Sequence, residues 1–121
     1  MAKYETTLKI KPGREEYLRA NGLDAILELL FYKADLTMIQ RARAFLEYVK
    51  ERRKGKKPYL RSEWEDHIKK NNLTQGQYYS FYNRLLGAGL IRIDRGQVYD
   101  SEEFATFLST IMAIWNAWRA T

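Results

Sequence analysis

Three amides, a guanidinium and a hydroxyl fall within one short stretch of this chain: Gln75, Gln77, Ser80, Asn83 and Arg84, with Tyr79 among them. An amide side chain offers a donor beside an acceptor, and a guanidinium offers a planar fork of donors. Such groups recognise a polar edge rather than break bonds. A second set is cationic. Arg52-Arg53-Lys54-Gly55-Lys56-Lys57 gathers charge on one short run, and Lys56 and Lys57 are compact point charges suited to phosphates. Arg95 stands alone between Asp94 and Gly96.

The means for covalent or metal chemistry are sparse. His67 is the only histidine, and its neighbours Glu65, Asp66, Lys69 and Lys70 suggest a surface position. There is no cysteine, so disulfides and thiolate metal sites are excluded. No paired-histidine zinc motif occurs, and Gly55-Lys56 lacks the strand and glycine spacing of a phosphate loop. Glu15-Glu16 and Glu102-Glu103 fall at expected helix starts, where carboxylates favour the helix dipole. The expectation is a binding protein rather than an enzyme, with no metal and no cofactor.

The elements that must hold these groups follow from spacing. Residues 3–11 alternate, with Tyr4, Thr6, Leu8 and Ile10 on one side, as in a strand or extended arm. Pro12-Gly13 ends it. A short helix is expected over Arg14–Arg19. Asn21-Gly22 interrupts, with Asn21 and Asp24 at cap spacing, and a strongly apolar helix covers Leu23–Lys33. Thr37-Met-Ile-Gln40 reads as a capping box opening a helix over Met38–Arg53. Its stripe is Met38, Ala42, Phe45 and Val49, and Gly55 is its C-cap.

Lys57–Arg61 is short and extended. Ser62-Glu-Trp-Glu65 reads as a second capping box, opening a helix to Lys70 that buries Trp64 and Ile68. Asn71-Asn72 ends it. Thr74-Gln-Gly-Gln77 is a third box, opening a helix to Leu86 that Gly87-Ala88-Gly89 stops. Ile91–Ile93 and Gln97–Tyr99 alternate about Asp94-Arg95-Gly96, a β-hairpin signal. Asp100 and Glu103 open a last helix to Arg119.

The 121 residues suit one folding unit, mainly α with a small β-hairpin. It divides into an N-terminal segment (1–36), a central unit (37–100) and a C-terminal helix (101–121). The net charge is +6. Residues 50–70 carry +5 of charge while residues 1–36 balance, so the surplus is concentrated around the basic run. It favours a polyanionic partner, although a basic loop also serves solubility. The start Met1-Ala-Lys-Tyr-Glu lacks the layout of a signal peptide, and no apolar run approaches the roughly 20 residues of a membrane span. A cytoplasmic protein without membrane association is expected.

From residue 37 the order is helix, short strand, helix, turn, helix, hairpin, helix. In Leu73–Ile91 an apolar Leu73 precedes the turn. Tyr78, Tyr82 and Leu85 recur on one helix face, and Gly89-Leu90-Ile91 leads into the first hairpin strand. This stretch resembles the recognition-helix region of bacterial and archaeal winged-helix transcription regulators. The resemblance covers about residues 37–100 and names no subfamily. It implies a winged helix-turn-helix fold with an extra N-terminal segment and a long C-terminal helix.

It also implies double-stranded DNA as partner. With 78, 82 and 85 turned inward, Gln75, Gly76, Tyr79, Ser80, Asn83 and Arg84 face out, and Gln77 lies near the helix start. Amides can bond N6 and N7 of adenine, and Arg84 can bond guanine. Arg95 would enter a minor groove, and Lys56 and Lys57 would touch flanking phosphates. A solvated polar face is the competing reading. Phe104, Leu108, Ile111, Trp115 and Trp118 step by 4, 3, 4 and 3, a seam that must be buried on Leu23–Phe31, in a homodimer, or both, and a homodimer through this helix is expected. Other functions remain open: a protein-interaction module of transcription or replication machinery, or a non-specific chromatin-type DNA binder.

Overall fold

A computed structural model describes residues 6–31 and 34–121 of the chain. In chain order the elements are α1 (Glu15–Asn21), α2 (Leu23–Leu30), α3 (Leu36–Lys54), β1 (Tyr59–Leu60), a single 3-10 turn (Arg61–Glu63), α4 (Trp64–Lys70), α5 (Gln75–Ala88), β2 (Ile91–Asp94), β3 (Gln97–Asp100) and α6 (Glu103–Arg119). The protein is mainly helical with a small antiparallel sheet, as the periodicities require. The sheet has three strands in the order β1-β3-β2, because β1 adds to the hairpin, pairing Tyr59 with Val98 and Leu60 with Gln97. Arg95 and Gly96 take φ of 54° and 78° at the hairpin tip, the two positive values that a tight two-residue turn needs.

Phe45, fully buried on α3, is the hub of the core. Its ring meets those of Tyr59, His67, Tyr78, Phe81 and Tyr82 at centroid distances of 5.2–6.0 Å, mostly edge to face. Edge-to-face contact sets the positive ring edge against the negative ring face. Leu27, Leu30 and Phe31 cover α3 from the α2 side. Arg43 ties the two helices from outside, bonding Asp24 at 2.8 Å and Glu47 at 3.0 Å.

Several expectations change in detail. Residues 3–5 lie outside the described residues, and residues 6–11 form no strand. They run as an arm along α2, where the Thr6 hydroxyl donates to the Leu30 carbonyl at 3.0 Å and the Lys9 amide to the Leu29 carbonyl at 3.3 Å. A helix carbonyl offers only isolated acceptors, so no ladder forms. The helix expected over Arg14–Arg19 runs over Glu15–Asn21, and α2 stops at Leu30. Neither Asn21 nor Asp24 caps α2, whose N-cap is Gly22.

The Thr37 box is not formed. Asp35 caps α3, its carboxylate accepting from the Met38 amide at 2.8 Å, so the helix starts one residue before Thr37. The Ser62 box is also absent. Glu63 instead accepts from the Leu60 amide at 2.8 Å and closes the 3-10 turn. On α4 the buried residue is His67, while Trp64 and Ile68 are half-buried. Gly87 and Ala88 stay helical, and only Gly89, at φ 76°, leaves α5.

The expected burial of α6 holds only at its start. Phe104 and Leu108 are half-buried and line an apolar cavity of about 380 Å³ with Leu8, Ile10, Leu18, Ile26 and Leu29. Ile111, Trp115 and Trp118 are exposed, because the helix has by then run past the edge of the body.

Candidate nucleic-acid interface

Helix α5 is built to show one face outward. Its N-terminus is closed by the Thr74 box: the Thr74 hydroxyl accepts from the Gln77 amide at 3.1 Å, and the Gln77 side-chain carbonyl accepts from the Thr74 amide at 2.9 Å. Gln77 is therefore a cap, and only its NH2 group remains for other work. Tyr78, Tyr82 and Leu85 are buried as their spacing predicts, and Phe81 and Ala88 join them. The Tyr78 and Tyr59 hydroxyls bond one another at 2.9 Å inside the core. Burial drives both phenols up, Tyr59 to about 12, so both stay protonated and one hydroxyl donates to the other.

At 100° per residue the position opposite this buried arc carries Gly76, Ser80, Asn83 and Gly87. A Cβ at Gly76 would meet nothing within 4 Å, so the packing of this chain does not require a glycine there. The flanks differ. Tyr79 packs on Trp64 at 6.0 Å, toward the hairpin. Ser80 and Arg84 turn toward α3. The Arg84 guanidinium donates to the Met38 sulfur at 3.0 Å and lies 5.7 Å from the Phe31 ring centre. Arg84 is thus held against the body, whereas Gln75 and Asn83 keep free faces.

The tip of the hairpin reaches the Tyr79 flank. Leu60, Arg61, Ser62, Trp64, Tyr79, Arg95 and Gly96 line one open groove. The Arg61 amide donates to the Gly96 carbonyl at 2.8 Å and fastens the end of β1 to the turn. Arg61 escaped the sequence reading. Its only signal was its place after β1, which has meaning once β1 is known to pair beside the tip.

The basic run is partly used up inside the protein. Arg52 holds both Glu63 oxygens at 2.9 Å and also bonds the Tyr48 hydroxyl at 2.8 Å and the Lys57 carbonyl at 2.7 Å. The Glu63 carboxyl is held below the usual carboxylate range by the Arg52 guanidinium. Arg53 clasps Asp100 at 2.6 and 2.9 Å, and Lys70 pairs with Asp66 at 3.0 Å. Lys56 and Lys57 are exposed. They precede β1, however, and so lie toward Asp100 at the base of the hairpin, roughly 10 Å along the strands from the tip. The structure thus brings Tyr79 and Arg95 to one end of the sheet and leaves Lys56 and Lys57 at the other.

His67 is not the surface residue its neighbours suggested; it is 8% exposed among Phe45, Tyr48, Tyr59 and Tyr78. Those aromatic rings desolvate the imidazole and lower its pKa. Among the described residues no group of three or more His, Cys, Asp or Glu is placed to hold a metal ion, and no helix is long and apolar enough to cross a membrane.

The described residues define a mainly helical protein whose small three-stranded sheet ends beside a polar helix face. Residues 20–120 match the model of a family described as an archaeal family, and the chain belongs to that family. No curated protein and no solved structure matches the chain.

Proposed function

We propose that this is a winged-helix protein that binds double-stranded DNA and acts as a transcription regulator by occupancy. The order α3-β1-α4-α5-β2-β3, with β1 added to the hairpin, supports a winged-helix reading in which α5 enters a major groove and Arg95 sits at the wing tip. The observation that carries the proposal is the open groove in which Tyr79, on a flank of α5, and Trp64 meet Arg61 and Arg95. Gln75 and Asn83 would supply base-edge chemistry from α5 beside that groove. Arg61, Ser62 and Arg95 supply backbone contacts. Gly76 leaves room for a phosphate or base edge to approach the first turn of α5.

The test is fluorescence anisotropy with random and genomic duplexes. Replacing Arg61 and Arg95 together by Ala should weaken binding to every duplex. Asn83→Ala should cost about 1–3 kcal/mol on the preferred sequence only. An unaltered chain that binds no duplex at low salt refutes the proposal. A second reading, a protein-interaction module of transcription or replication machinery, is favoured by the half-exposed Trp64–Tyr79 pair in the same groove. Binding to a protein that survives Arg61→Ala and Arg95→Ala but not Trp64→Ala would distinguish it.

A further inference from the structure

The exposed part of α6 has a pattern that the five-residue seam of the sequence conceals. Phe104 and Leu108 are turned to the body, so they are not part of the bare surface. What remains is Phe107, Ile111, Ile114 and Trp118, exposed by 66%, 48%, 66% and 67%. At 100° per residue these four fall within an arc of roughly 60°. Their spacing is 4, 3, 4, which reads the same from either end.

Trp115, exposed by 56%, borders this row and stacks on Trp118 at 5.2 Å, whereas Met112 lies roughly 100° further round the helix. Taking roughly 200 Å² for each large side chain, the row and Trp115 together expose on the order of 600 Å². That lies at the upper end of the largest apolar patch, about 300–600 Å², found on a monomer. It approaches the ~800 Å² per partner of a standard protein interface.

We propose that this row is the contact between two copies of the chain, packed antiparallel along α6. A reversed second copy sets Phe107 against Trp118 of the other copy and Ile111 against Ile114, twice each by symmetry. All four layers are then apolar on both sides. The reversal also sets the acidic start of each helix, Glu102 and Glu103, at the end of the other that carries Arg119. It opposes the two helix dipoles as well. A parallel pair would instead stack like charges and bring both bodies to the same end.

A membrane surface fits the helix less well. Helices that lie on membranes carry Lys and Arg on the polar face. Here that face is Ala105, Thr106, Ser109, Ala113, Asn116 and Ala117. The proposal does not depend on DNA binding.

The chain has no cysteine, so introduced thiols report without background. The full chain should run as a dimer in light scattering over a concentration series. Phe107→Cys and Trp118→Cys proteins, mixed under mild oxidation, should form a covalent heterodimer. Each alone should not, because like positions lie roughly 16 Å apart along the antiparallel pair, beyond the ~7 Å Cα reach of a disulfide. Ile111→Lys should raise the dimer dissociation constant by about a hundredfold or more. Its thermal midpoint, read on the dissociated chain, should not fall, since Ile111 lies outside the core.

An unaltered chain that stays monomeric at high concentration overturns the proposal. So does self-crosslinking of Phe107→Cys alone, which marks a parallel pair. Co-sedimentation of a monomer with phosphatidylglycerol vesicles also overturns it, by giving the row a lipid occupant.

Discussion

His67 shows how far local context can mislead at the scale of one residue. Flanked by acids and lysines, it reads as a surface group, yet position 67 is the inward side of α4. The enclosing rings come from α3, β1 and α5, none of them near it in sequence, so no local signal could announce the burial. Desolvation is the main cause of its lowered pKa; Lys70 also lowers it, and Asp66 opposes. The native state therefore resists a proton that the unfolded chain accepts. Stability from this group is complete above the ordinary imidazole pKa of about 6.5 and is lost as pH falls below it. Urea midpoints should drop between about pH 7 and pH 5, and His67→Phe should remove that drop. Glu63 and Asp100, both held below the usual carboxylate range by arginines, lose their contributions only in a lower window. An unchanged pH profile in the variant would show that His67 is not the titrating group. The amides Gln75 and Asn83 were legible because helical phase needs only the buried partners Tyr78, Tyr82 and Leu85. The contact of Arg84 with Met38 was not, since it depends on where α3 lies.

Capping decided which elements were legible. The Thr74 box formed as read, because both of its reciprocal bonds are local. The boxes read at Thr37 and Ser62 are displaced because a neighbouring carboxylate caps an earlier start, Asp35 at the Met38 amide and Glu63 at the Leu60 amide. The same four-residue pattern thus marks a helix start only where no nearby carboxylate sets an earlier one. Thr74→Ala should cost about 1 kcal/mol of stability by thermal or urea denaturation. A cost near zero would mean that Gln77 alone holds the start of α5. The N-terminal alternation left a strand and an extended arm both open for a related reason, and the described residues 6–11 take the arm. Period two records which residues have room to point inward, and an arm along a helix satisfies it for Leu8 without any strand partner.

Composition gave the sign of the charge but not its location on the whole molecule. The +5 of residues 50–70 looked like one phosphate-binding segment, yet Arg52, Arg53 and Lys70 are spent on Glu63, Asp100 and Asp66. If DNA binding follows the proposed face, about three to five phosphates per chain should be neutralised, and log K should fall with log salt at roughly −3 to −5. Arg61→Ala and Arg95→Ala should flatten that slope more than replacing Lys56 and Lys57. Isotherms at several salt concentrations check this, and the opposite order would move the contact surface to the base of the hairpin. The bare length of α6 was unreadable for the same long-range reason. Its periodicity was plain, but whether the body extends far enough to cover it depends on where α2 and the arm end.

The left-handed turn at Gly89 has a mechanical consequence. A Cβ there would stand 3.1 Å from the Glu103 Cβ and the Phe104 nitrogen, and the Gly89 carbonyl itself accepts the Phe104 amide at 3.1 Å. The Ser101 amide bonds the Leu90 carbonyl at 2.9 Å just beyond. The end of α5 and the first turn of α6 are thus clamped in direct contact, although the whole hairpin separates them in sequence. The projecting helix is a lever with its fulcrum on α5. The far end of α6 stands roughly 25 Å from that clamp, so a load applied there would bear on the end of α5 directly, with the Gly89–Phe104 contact as its pivot.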